Sequence, residues 1–341
     1  PSGNADTYNT AVGYNAGGSV STGIKNTFLG GLAGDALTTS AENIAIGYGA
    51  LSSDTLGGRS VAVGTFTLND QNFTSSTYTY NTAIGHAAGK AVTTGTINTL
   101  IGGLAGDALT VGNSNVALGY SALGADTKGD RNVAIGTNAL MLQNFTTSTD
   151  SFNTAVGANA GYVLTTGVQN TLIGGLAGDA ITTGTANVAV GYLSLSASTT
   201  GTDNVALGRS ALASSTTASN NIAIGRNALI LNTTGANNIA IGYGSMFANT
   251  TGNSNVAMGY NSLTSDTLGD RAVAIGLNAL SSQNFTSSTD NYNVGIGYAA
   301  GGSVTTAIHN TLIGGLAGNS LTTGGGNTIM GYAAGDALTE G

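Results

Sequence analysis

The chain has 341 residues, of which 7% are charged, with eight Lys and Arg against sixteen Asp and Glu for a net charge of −8. So few cations exclude a clustered phosphate-binding surface, and no nucleic-acid partner is expected. The absence of Cys excludes disulfides and thiolate metal sites, and no apolar run approaches the ~18 residues of a membrane span, so this segment is expected not to insert into a membrane.

From Asn9 onward, an Asn-x-x-x-Gly motif recurs nineteen times, with Ser60 and Ala272 in place of Asn in two copies, closing on Gly13, Gly30, Gly47, Gly64, Gly85, Gly102, Gly119, Gly136, Gly157, Gly174, Gly191, Gly208, Gly225, Gly242, Gly259, Gly276, Gly297, Gly314 and Gly331. Successive glycines are 17 residues apart except for three steps of 21, from Gly64, Gly136 and Gly276. A fixed period in this range marks a stacked repeat architecture. The pattern carries 55 Gly without a Gly-X-Y period, so collagen is not expected, and regularly placed aliphatics at low charge argue against disorder.

With the repeat's Asn as position 0, position 1 is always Thr, Val or Ile and position 3 always Ile, Val, Leu or Met. This alternation predicts a short strand that buries positions 1 and 3. Asn at position 0 and Gly at position 4 are expected where the strand turns, because both tolerate positive φ. Thr-Thr-Gly at positions 12 to 14, as in Thr233-Thr234-Gly235, predicts a second strand and bend in each coil.

Position 8 is either Gly, paired with an aliphatic at position 11 (Gly106 with Leu109), or Leu or Met, paired with a polar residue there (Leu123 with Asp126). Each coil thus supplies one large apolar side chain from one of two places, as a fixed core volume requires. The order of the two coil types divides the chain into blocks 9–80, 81–152, 153–292 and 293–341. Each of the first three ends in a lengthened coil carrying Gln-Asn-Phe-Thr.

The expected fold is all-β: a parallel β-solenoid (β-roll) of about nineteen 17-residue coils, one elongated segment over 1–341. At one strand spacing per coil it would be roughly 90 Å long. Pro1 replaces an initiator Met and Gly341 stops inside a repeat, so the chain reads as part of something longer. Columns of Ala at positions 2 and 7 suggest a flat surface for association with further copies, as an intertwined or side-by-side homotrimer.

The run Asn-Val-Ala-Ile-Gly-x-x-Ala, from Asn132 to Ala139, with Asn221 to Ala228 as a second example, resembles the head repeat of YadA-type trimeric autotransporter adhesins. It is equally similar to repeats in phage tail fibres. The resemblance implies three chains forming one stalk or head, an attachment role, and an extracellular place on a virion tail fibre or a cell surface. The adhesin heads repeat about every 14 to 15 residues, so the 17- and 21-residue coils favour the fibre version.

No catalytic constellation is visible, so no enzyme activity, cofactor or metal is expected. Asp35, Asp107, Asp179 and Asp336 lie in Gly-Asp-Ala turns that lack calcium β-roll spacing and read as turn caps. His86 and His309 read as surface residues, and Asp130-Arg131 and Asp270-Arg271 as exposed charge pairs.

Candidate surface contacts are the inserted Phe73, Phe145 and Phe285, since loops inserted in a solenoid project. Position 5 is Tyr in eight coils, a stripe suited to a sugar ring, and four of these, Tyr120, Tyr192, Tyr243 and Tyr260, join the candidate contacts. Asn72, Asn144 and Asn284 also fit N-glycosylation sequons.

The reading is therefore the shaft or head of a phage tail fibre, whose partners are itself and a cell-surface receptor or glycan. One alternative is a bacterial trimeric adhesin head. The other, from a different class, is a monomeric ice- or glycan-binding solenoid that displays the Thr column at position 12.

Overall fold

The computed structural model describes residues 6–340. The chain divides into two units, Pro1–Gln169 and Asn170–Gly341. Each is an all-β parallel solenoid, nineteen turns in total, and no helix occurs among the described residues. The first unit holds nine three-residue strands, Thr10–Val12 to Thr154–Val156, and the second holds ten, Thr171–Ile173 to Thr328–Met330. Each three-residue strand is positions 1 to 3 of one repeat, and within a unit it pairs in register with the same positions of the neighbouring coil, as Val133↔Val116 and Val133↔Thr154 show.

The second strand expected at Thr-Thr-Gly is not formed in regular coils. That side is closed by a ladder in which both donors of a Thr reach one carbonyl of the next coil: Thr233 N at 2.8 Å and Thr233 Oγ1 at 3.0 Å from Thr250 O. Two-residue strand pairs appear there only where a lengthened coil stacks, as at Gly57–Gly58 with Thr77–Tyr78.

All nineteen position-4 glycines have φ between +123° and +140°. A Cβ on Gly136 would lie 2.5 Å from the carbonyl oxygen of Gly157, so φ and space both require glycine there. The expectation for Asn at position 0 fails, because the left-handed residue is its predecessor at position 16, such as Arg131 at φ 60°. The Asn itself is buried and forms an internal amide ladder. Asn238 Nδ2 donates to Gly252 O at 2.8 Å, and Asn238 Oδ1 accepts from Asn255 N at 2.9 Å. The ladder gives these buried amides donors and acceptors from the neighbouring coils.

The strands face opposite to expectation. Position 2 points inward, with Ala45, Ala134 and Ala223 at 0% exposure, while positions 1 and 3 face out. The Ala columns at positions 2 and 7 are therefore the interior of a single chain and offer no association surface. The interior is shared by position 2, which is Ala in most coils but Phe28, Leu100, Leu172 and Leu312 in coils where position 8 is Gly, by a small residue at position 7, and by one large side chain from position 8 or 11.

The swap between positions 8 and 11 delivers that side chain. Leu123 and Leu140 at position 8 are fully buried, as are Leu109 and Ile181 at position 11. Gly106 and Leu123 at position 8 share φ near +55° (55° and 54°), so the glycine is not there for its φ. It is there for space, since Cβ atoms on Gly34 and Gly106 would meet Phe28 at 2.4 Å and Leu100 at 2.8 Å.

Candidate interaction surface

Because position 2 points inward, the aliphatics of positions 1 and 3 form an outward apolar column in each unit. Leu29, Ile84, Leu118, Ile173 and Met258 are 38–47% exposed. In the second unit, seven consecutive coils carry aliphatics at both positions, from Val188 and Val190 to Val294 and Ile296. At one strand spacing per coil that strip is on the order of 30 Å long. The strip's side chains are half-buried against one another, with Met258 exposed, and contiguous apolar surface on this scale marks an interaction site more often than ordinary surface.

The tyrosines border this strip. Tyr120, Tyr192, Tyr243 and Tyr260 are 42–57% exposed, and Tyr243 stacks on Tyr260 with centroids 5.2 Å apart. Several also roof a glycine of the preceding coil: Cβ atoms on Gly103 and Gly175 would each lie 3.6 Å from the rings of Tyr120 and Tyr192. Their surface placement matches the expectation, and their packing accounts for part of their use.

The inserted phenylalanines do not project. Phe73, Phe145 and Phe285 are 5–6% exposed, because each insertion folds inward onto a buried carboxylate. Asp54 accepts from Gln71 Nε2 at 2.6 Å, Gly57 N at 3.0 Å and Phe73 N at 3.1 Å, and Gln71 Oε1 accepts from Asn81 Nδ2 at 2.8 Å. Asp126 with Gln143 and Phe145, and Asp266 with Gln283 and Phe285, repeat the arrangement. Burial pushes the Asp54 and Asp126 carboxyls above the usual carboxylate range, against the hydrogen bonds that lower them. A pairing in the sequence pointed to this network, since each Gln-Asn-Phe follows an Asp 17 residues before its Gln.

The charge pairs are also different from expectation. Asp130 and Asp270 are 8% exposed and receive backbone and hydroxyl donors, Asn113 N and Ser148 Oγ on one, Asn253 N and Ser288 Oγ on the other. Arg131 and Arg271 pair instead with Asp150 and Asp290. His86 and His309 are exposed, and His309 stacks on Tyr292 at 5.8 Å.

Burial raises the Asp107 and Asp179 carboxyls, and among the described residues no three metal-ligating side chains converge. No helix of the described residues is long and apolar enough to cross a membrane. No protein-family model matches this chain, and no curated protein matches it. What the surface can do therefore rests on its own geometry.

The Thr hydroxyls at position 12 donate to the ladder, leaving the exposed Thr column at position 13, with Thr183, Thr200, Thr217, Thr234 and Thr251 in consecutive coils.

Proposed function

We propose that this chain is a non-enzymatic, self-associating segment of an extracellular attachment fibre. Three copies would turn their outward strand columns toward a shared axis, and a phage tail fibre is the favoured setting. The observation that carries the reading is the apolar column at positions 1 and 3, which a single chain leaves facing water. A surface with one strand spacing as its period is complementary along its whole length only to another surface of the same period, which is why the partner is another copy of this chain. Scarce charge removes the repulsion that would keep like chains apart. Rigid display of identical weak sites then gains avidity through effective concentration.

Light scattering on the isolated chain tests this. A mass near 100 kDa, three times 33.3 kDa, is expected, and Ile224→Lys with Ile241→Lys should reduce it to one chain while the solenoid still melts cooperatively. A wild-type mass near 33.3 kDa would sink the reading. The exposed Thr column at position 13 would then make ice binding by a monomer the next test, read as thermal hysteresis. A bacterial adhesin head is the alternative setting for the same assembly, distinguished by a membrane-barrel anchor in the flanking sequence.

A further inference from the structure

The second unit holds a polar cavity of about 140 Å³ lined by Asn253, Ser254, Asp270, Arg271 and Asp290. Its parts are fixed from several coils. Asp270 is held by Asn253 N at 2.6 Å and Ser288 Oγ at 2.7 Å. The Arg271 guanidinium pairs with Asp290, donates to Tyr292 Oη at 3.1 Å and lies 5.6 Å from the centre of that ring.

The first unit carries the same five residues exactly 140 positions earlier, as Asn113, Ser114, Asp130, Arg131 and Asp150. Phe152 stands where the second unit has Tyr292, 5.5 Å from the Arg131 guanidinium. The duplicated stretches 113–152 and 253–292 match at 27 of 40 positions, these five among them, and differ at others such as Lys128 against Leu268 and Met141 against Ser281. The boundary at Arg59 keeps the arginine and an aromatic but has Gly58 and Tyr78 where the others have Asp, so the chain contains its own control.

We propose that these twin clusters each bind a neutral sugar ring. Two carboxylates against one guanidinium leave the site net negative, which disfavours anions, while the guanidinium beside Asp290 disfavours a bare cation. A polyol offers donors to the carboxylates and acceptors to the arginine at once. The neighbouring Phe152, 50% exposed, presents an apolar face to the C–H side of a pyranose, and Tyr292, 49% exposed, stands in the same place with one face stacked on His309. The inference deepens the attachment reading, from which it takes its biological meaning, and it names the chemical class that the fibre would hold.

The test is saturation-transfer difference NMR on the whole chain with methyl glucoside, galactoside and mannoside, with ³¹P line broadening of inorganic phosphate alongside. Transfer to at least one hexoside is expected, weakened roughly tenfold in Arg131→Ala/Arg271→Ala and in the isosteric Asp150→Asn/Asp290→Asn, and unchanged in Arg59→Ala. No transfer to any hexoside, stronger broadening of phosphate than hexoside transfer, or wild-type transfer in both double variants would each overturn it. Thermal melts of the variants identify any that fail to fold, and the isosteric pair keeps the test decisive if the alanine pair does so. Light scattering on the same samples separates the two readings: a trimer that binds no hexoside sinks this inference alone, and a monomer that binds one sinks only the fibre.

Discussion

At residues 41–80 and again at residues 113–152, the first unit stacks a 21-residue coil on a 17-residue one, and the two junctions share an interior but not a surface. Gln71 and Gln143 each donate to a buried carboxylate, Asp54 or Asp126, at 2.6 Å, and Phe73 and Phe145 are both 6% exposed. Outside, Glu42, Gly58, Arg59 and Tyr78 at one junction stand where Ser114, Asp130, Arg131 and Asp150 stand at the other. The interior is alike because four extra residues interrupt the backbone ladder and leave donors such as Phe73 N or Phe145 N needing an acceptor, which the carboxylate supplies. Most of the corner residues, such as Arg131, Asp150 and Tyr78, face water and meet no such demand, whereas Asp130 is buried. Repetition therefore constrains the inside, and the junction surfaces are where the chain can differ from itself.

If that contrast is right, interior changes should cost the same at both junctions and surface changes should not. The largest effect is expected for Gly64→Val and Gly136→Val, whose φ values are +134° and +129° and whose Cβ atoms would lie 2.4 and 2.5 Å from the next coil's carbonyl oxygen. Each should lose at least ~3 kcal/mol in denaturant unfolding. Gly331→Val, with only a side chain 3.7 Å away, should lose less, and equal losses at Gly331 and Gly136 would contradict the stacking argument.

Next come Phe73→Ala and Phe145→Ala, each expected to cost about 3–5 kcal/mol, against no more than about 1 kcal/mol for the half-exposed Phe152→Ala. Comparable losses at Phe145 and Phe152 would return the insertions to the surface.

A smaller effect concerns pH. The folded carboxyls of Asp54 and Asp126 titrate above the unfolded value of 3.8, so the folded state binds more protons in the window between 3.8 and the raised value. Their contribution to stability accordingly falls as pH rises through that window and is level above it. Melting curves of wild type and of Asp54→Asn/Asp126→Asn over this acid range should differ in slope, and parallel curves would show that burial does not control these groups.

The smallest effect separates the surfaces. Asp130→Ala strands the Asn113 N–H and should cost roughly 1–3 kcal/mol, whereas Arg59→Ala should leave the melting curve within error. A larger loss at Arg59 would show that the two surfaces are equally structural.

Much of this was legible in the residues. The period, the position-4 glycines and the reciprocal use of positions 8 and 11 follow from Asn, Gly and Leu recurring at fixed spacing, and the structure reproduces all three. The roles of Asn132 and of Phe145 were not, because propensity assigns Asn to turns and insertions to surfaces. Here a ladder needed buried amides and an interrupted coil needed an aromatic plug. The lengthened coils could be located in the sequence, but not the direction in which they fold.

By itself the sequence determined a parallel β-solenoid, its number of turns and the composition of its corners, since these depend on spacing alone. Only the tertiary structure decided which strand face is inside. Alternation specifies two faces without saying which is covered, and a one-residue shift exchanges them. The usual preference for burying the larger aliphatics yields here because Leu140 at position 8 already fills the interior of that coil, which encloses Ala134 and turns Val133 and Ile135 outward.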